Sequence, residues 1–271
     1  MTVQQLKQAL RCGQRVYGTA ITSTAPRWPE GVAGIGLDLV FIDTEHIPID
    51  REQLGWMCQT YAALGLPPLV RIPKPDPYQA SQVLDGGAAG VVVPYVESPH
   101  EVQALRGAVR FGPLKGERLR RVLDGEEELE PELAAYLEAR NADRLVVVNI
   151  ESVPAIEALD AILAVPDLDA VLIGPHDLSC SLGIPERYDA PRFLDAVRTI
   201  VRKARTKSIG AGIHFTGAHE AHIAWVREGM NLIIHGSDLA AFVKAMRTDV
   251  QAIRRAAGDD DSSGWGETVL V

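Results

Sequence analysis

Lysine is scarce in this chain of 271 residues, and its placement already excludes one kind of chemistry. Only Lys7, Lys74, Lys115, Lys203, Lys207 and Lys244 are present, none inside the short β-branched runs that dominate the sequence. A Schiff-base enzyme needs a desolvated lysine amine, and Lys74, just past the third run, is the sole weak candidate. Cysteine is equally sparse. Cys12, Cys58 and Cys180 are odd in number, far apart and form no C-x-x-C, so buried, reduced thiols in a cytoplasmic protein are expected. No basic stretch offsets the net charge of −9, which argues against nucleic acid or an anionic membrane as partner. No run of about 18 apolar residues exists to cross a membrane. MTVQQLKQALRCGQ lacks a basic region followed by an apolar one, so no signal peptide is expected. A G-x-S-x-G elbow is also missing.

What is present is 46% hydrophobic residues arranged with a clear alternation. Strand candidates fall at Val16–Thr22, Leu37–Ile42, Pro68–Ile72, Gly90–Pro94, Leu145–Ile150, Ala170–Ile173, Gly210–His214 and Asn231–His235. Several are continuous apolar runs, as parallel strands buried on both faces should be. Amphipathic helical patterns separate them, and SPHEVQALRGAV opens with Ser98 and Glu101 in capping-box spacing. Eight such units predict a single (β/α)8 TIM barrel, a fold that commonly takes roughly 250 residues; an open doubly wound sheet is the alternative. Residues 1–257 form the expected domain, ending in a long C-terminal helix, with 258–271 a flexible tail. The stretch 111–144 is too long for one connection and is expected to cross or cover the barrel mouth. The acidic run DGEEELEPE inside it is expected to be solvated.

The residues that follow the strands carry the chemistry. In barrels of this kind the carboxyl ends of the strands form the active-site face. Glu151 follows LVVVNI and Asp177 follows AVLIGPH. Two carboxylates from neighbouring strands can hold a hard divalent cation with positions open for substrate. Either could instead cap the next helix. His46, three residues past Asp43, suits general acid–base work with Asp43 fixing its tautomer, or is a surface histidine in a turn. Arg71 sits inside the apolar run PLVRIP, so it must pair with Asp43 or Glu45, or bind an anion. Asp85 ends a helix, where its charge opposes the helix dipole, a mild sign of function. His214, His219 and His222 have loosely zinc-like spacing, but no thiolate joins them and no zinc is expected. GVAGIGLD precedes a strand where a nucleotide loop would follow one.

FIDTEHIPID, LVRIP, LDGGAAGVVVPYVES, NIESVPAIEALDAIL and DAVLIGPHDLSCSLGIP resemble the HpcH/HpaI family of class II 2-keto-acid aldolases, from about Val16 to Asp238. The resemblance implies a metal-dependent aldolase that reversibly cleaves a 4-hydroxy-2-oxo acid into pyruvate, or a related 2-keto acid, and an aldehyde. It implies Glu151 and Asp177 as ligands of Mg2+, Mn2+ or Co2+, with Arg71 on the keto oxygen. His46 and Asp43 would move protons, and the backbone at Gly174, Pro175, His176 and Asp177 would receive the substrate carboxylate. It further implies a homo-hexamer, a trimer of dimers, with the last helix exchanged between subunits and Asp85 reaching a neighbour's site. The alternative is a related lyase on the same enolate, a 2-oxo-diacid decarboxylase or a citrate- or malyl-type CoA-thioester lyase. A binding protein that merely kept the barrel is disfavoured by the intact Asp43, His46, Arg71, Glu151 and Asp177 set. The chain departs from the family pattern at Asn149, commonly Gln; at His176, commonly small; and in FGPLKGERLRRV, where YPPxGxRG is expected.

Overall fold

Eight short runs in the computed structural model, which describes residues 1–259, become strands β1 (Val16–Ile21), β2 (Leu39–Asp43), β3 (Pro68–Arg71), β4 (Gly90–Val93), β5 (Leu145–Ile150), β6 (Ala170–Ile173), β7 (Gly210–Phe215) and β8 (Leu232–Ser237). All neighbours pair in parallel, and β8 pairs back onto β1, so the sheet closes into the expected barrel. The helices are α1 (Val3–Cys12), α2 (Trp28–Ala33), α3 (Arg51–Ala63), α4 (Pro77–Asp85), α5 (Pro99–Arg110), α6 (Gly116–Leu123) and α7 (Pro131–Asn141). They continue as α8 (Val153–Glu157), α9 (Leu159–Ile162), α10 (Pro175–Ser181), α11 (Pro191–Thr206), α12 (His219–Arg227) and α13 (Asp238–Ala257). Residues 260–271, most of the expected tail, lie outside the described residues.

Strand parity sorts the apolar side chains into two cores. Val40, Ile42, Val70, Val91, Val93, Val148, Ile150, Val171 and Ile173 face the surrounding helices. Leu39, Phe41, Leu69, Val92, Leu145, Val147, Leu172 and Ile234 fill the barrel interior. Each such side chain contributes about 1.5–3 kcal/mol on full burial. Leu6, Ala9 and Leu10 of α1 join the interior set, so α1 plugs the amino-terminal end. The opposite end is left for polar groups. The capping box at Ser98 and Glu101 forms as the spacing predicts.

Residues 111–144 do not cover the mouth. The segment runs from the end of α5 to the start of β5, which places it at the amino-terminal rim and along α5. Gln103 of α5 donates to the Leu123 carbonyl, and Asn141 to the Arg110 and Gly112 carbonyls. The acidic run neutralises arginines of α6: Arg118 pairs with Glu127 and Glu130, and Arg120 with Asp124 and Glu126. The thiols also differ from expectation, since Cys12 and Cys180 are exposed and only Cys58 is buried. Helix α13 is unusual in burying only its first residue, Asp238. Leu239, Phe242, Met246, Val250 and Ile253 stand exposed along it.

Candidate active site

Asp43 ends β2 directly opposite Arg71 at the end of β3, and both share the inward parity of Phe41 and Leu69. Arg71 Nε donates to Asp43 Oδ1 at 2.9 Å and Nη2 to Oδ2 at 2.5 Å. Glu45 Oε2 lies 3.2 Å from Arg71 Nε, and the Glu45 N–H is itself held by Asp43 Oδ1. Burial works to raise the Asp43 carboxyl, but the Arg71 hydrogen bonds and charge outweigh it and hold it below the usual range. Arg71 therefore sits in a two-carboxylate clamp, and its Nη1 makes no hydrogen bond among the described residues. The expected Asp43–His46 hydrogen bond is not formed, because Arg71 occupies both Asp43 oxygens. His46 is half exposed at the rim, its Nε2 3.9 Å from Glu45 Oε2.

Two strands further round, on and just after β5, Asn149 and Glu151 follow the inward parity of Val147. Glu151 Oε1 accepts the Tyr95 N–H at 2.7 Å and Oε2 accepts Asn149 Nδ2 at 2.8 Å. Gly174 fits against this carboxylate, since a Cβ there would stand 2.3 Å from Glu151 Oε2. Asp177 is the third residue of α10. Neither acid caps a helix: Ser152 caps α8 and α10 has no side-chain cap. Asp177 makes no hydrogen bond or ion pair among the described residues. Burial pushes the Glu151 carboxyl up, and the nearby Asp177 charge adds to that.

No cluster of three metal-ligating side chains exists among the described residues. Two carboxylates at neighbouring strand ends whose charges repel each other fit a hard divalent ion, which would draw the rest of its shell from water and a chelating substrate. Asn149 Oδ1 is sealed without a partner beside them.

Other expected positions are less central. His176 is largely exposed and faces Glu186, 3.7 Å away. Asp85 lies at the amino-terminal rim, near Arg144 at 3.8 Å, so within one subunit it is at the wrong end of the barrel for this site. His222 and His235 form an edge-on ring contact beside Trp225, outside the barrel interior.

Tyr95 enters the mouth without having been singled out for it, and His214, expected at this rim from its place at the end of the seventh run, enters it too. Tyr95 follows β4 with a left-handed backbone, φ 54°, which turns its N–H onto Glu151. The Glu45 carboxylate beside its phenol, with some burial, pushes the phenol up to about 12. A bulky residue at positive φ is uncommon and marks an over-determined site. His214 near the end of β7 rests on Phe41, with ring centroids 5.3 Å apart. Its inward position within the strand was the available signal.

Fold and site together define a barrel enzyme of the carbon–carbon lyase class. The profile of the HpcH/HpaI aldolase/citrate lyase family matches residues 20–245, and the chain belongs to that family. It is 30% identical over 242 residues to a 2-keto-3-deoxy-L-rhamnonate aldolase of Salmonella gallinarum, covering 89% of each chain. Among solved structures, an HpcH/HpaI aldolase/citrate lyase family protein of Burkholderia cenocepacia is similar, with TM-score 0.80 and 27% identity over 93% of this chain and 99% of that one. The citrate synthase SbnG gives TM-score 0.79 at 28% identity, covering 94% of this chain and 99% of its own.

Proposed function

We propose that the protein is a divalent-cation-dependent aldolase, reversibly cleaving a 4-hydroxy-2-oxo acid into pyruvate, or a related 2-keto acid, and an aldehyde. The observation that carries this reading is the pair Glu151 and Asp177, at the ends of neighbouring strands, free of capping duty and within electrostatic reach of each other, with Glu151 also within reach of the clamped arginine. Mg2+, Mn2+ or Co2+ held by the pair would supply Lewis acidity that favours enolisation of the keto acid.

The chain's own groups do the rest. Arg71, immobilised by Asp43 and Glu45, donates to the keto oxygen as negative charge gathers there. Asn149 and the Tyr95 N–H hold Glu151 in one orientation. The uncapped first turn of α10, which runs from Gly174 through Pro175, offers the His176 and Asp177 N–H groups to the substrate carboxylate. His46, open to water beside Glu45, exchanges protons with the substrate through its imidazole.

Assembly belongs to the same reading. The exposed apolar face of α13 supports exchange of that helix in a hexamer, a trimer of dimers, which would let Asp85 approach a neighbour's mouth. Met246→Glu is expected to lower the mass measured by light scattering. The unpaired cysteines suit a cytoplasmic location. No helix among the described residues is long and apolar enough to cross a membrane.

Exchange of pyruvate methyl protons in D2O, followed by NMR, tests the core of the proposal. Exchange that needs Mn2+ and stops with chelator is expected. Exchange indifferent to chelator would sink the cation-dependent reading.

A further inference from the structure

The quadrant of the mouth formed by β7, β8 and β1 meets Arg71 through Phe41, and its inner positions carry mostly small side chains. Gly210 and Gly212 occupy the inner positions of β7, where a Cβ would meet Ala170 and Leu10 at 3.0 Å or the Leu232 carbonyl at 2.4 Å. Gly236 leaves β8 bare at the same level. Thr22, just past β1, is committed through its hydroxyl to Asp238. His214 is the polar side chain that remains.

Its ring is held on two sides. Phe41 supports one face, and the same phenyl ring carries the Arg71 guanidinium 5.5 Å from its centroid. His214 Nε2 lies 3.1 Å from the Gly236 carbonyl oxygen. A carbonyl only accepts, so Nε2 carries the proton and, in the neutral ring, Nδ1 presents a lone pair. Nδ1 makes no hydrogen bond among the described residues, yet it is not one of the sealed polar atoms, so it opens toward the mouth. Burial, aided by the Arg71 charge, pushes the imidazole down to about 4, so the ring is neutral near pH 7.

An oriented, neutral acceptor that opens into the mouth selects for a donor. Neither a carboxylate nor a keto oxygen can donate; a hydroxyl can. With the keto-acid part of the substrate anchored between Arg71, Glu151 and Asp177, the remainder extends toward β7. We propose that His214 is a substrate-positioning residue whose Nδ1 accepts a hydrogen bond from a hydroxyl of the aldehyde-derived part, so that the preferred aldehydes are hydroxyaldehydes. The assignment rests on the aldolase reading above and names the partner class for it.

The test compares wild type, His214→Leu and His214→Gln in Mn2+-dependent addition of pyruvate to glycolaldehyde and to acetaldehyde. Pyruvate deuterium exchange without aldehyde is measured alongside. Wild type is expected to favour glycolaldehyde in kcat/KM by about 10-fold, the worth of one good hydrogen bond. In His214→Leu that preference collapses through KM, read as the ratio of the two aldehydes' kcat/KM within the variant itself. His214→Gln, whose amide oxygen accepts, recovers part of the preference. Normal exchange with an unchanged preference in His214→Leu overturns the assignment to His214 alone, as does a glutamine variant no better than leucine. Absence of exchange in wild type overturns the aldolase reading and this assignment with it.

Discussion

Asp43 holds Arg71 through both carboxylate oxygens, and Glu45 closes on the same guanidinium from the side. Removing one partner from a buried pair typically costs about 3–5 kcal/mol. Because Glu45 remains, Asp43→Ala is expected to lose about 3 kcal/mol in urea denaturation. Arg71 then swings toward Glu45, and a displacement near 1 Å can cost about 100-fold in rate. The folded carboxyl of Asp43 is depressed, so the clamp's contribution is present above the ordinary aspartate value. It is lost only as pH falls through the lower folded one. An Asp43→Ala variant with wild-type stability at pH 7 would refute the clamp.

Gly174 leaves room for the Glu151 carboxylate and nothing more. Gly174→Ala places a methyl where Oε2 lies, so Glu151 must turn away. Displaced groups around a metal ligand typically cost about 10–100-fold in metal affinity. The expected result is that range of weakening for Mn2+ by isothermal calorimetry, with a lower unfolding temperature for the metal-free protein because that turn breaks the Tyr95 and Asn149 hydrogen bonds. Wild-type Mn2+ affinity in this variant would remove Glu151 from the ligand set.

His214 makes stability fall in mild acid. Its folded value, about 4, lies below the ordinary histidine value of 6.5, so the unfolded chain binds the extra proton between those limits. Stability is full above about pH 6.5 and declines toward pH 4 by about 1.4 kcal/mol per pH unit for this one group. The charged and titratable groups facing the ring are Arg71, Asp43 and His222. Within that window His214→Leu should show a shallower slope of unfolding free energy against pH. An identical slope would mean the ring is solvated.

At the far rim, Asp169 is buried and bound by Arg110 Nη2 and the Val146 N–H, with Arg11 3.8 Å away. Arg110→Ala strands most of that charge. A loss toward the lower end of about 3–5 kcal/mol is expected, while kcat/KM at 25 °C stays within about twofold because the mouth is untouched. A large fall in kcat/KM at constant stability would contradict this division of labour.

Much of the barrel can be read from the chain, because strands buried on both faces leave uninterrupted runs such as LVVVNI and AVLI, whose bounds match β5 and β6. The polar residues after those runs fall on one rim by topology alone. The partners of those residues were harder to foresee. Asp43 chose Arg71 over His46 because strand register sets the two opposite each other, and register is a property of pairs. Tyr95 gave no signal, since nothing in VVVPYVES foretells a left-handed tyrosine. The 111–144 segment was misplaced because its length was visible but the rim it joins was not.

Phe41 supports both Arg71 and His214, so the two ends of the bound substrate rest on a single ring. Changes at positions 71 and 214 should therefore show epistasis, with a double-mutant cycle that fails to close additively. Selection for a new aldehyde at position 214 would therefore feed back on the keto-acid end through the shared ring. A substitution at position 41 would shift both preferences in one step, which makes that phenylalanine a poor early target for directed evolution.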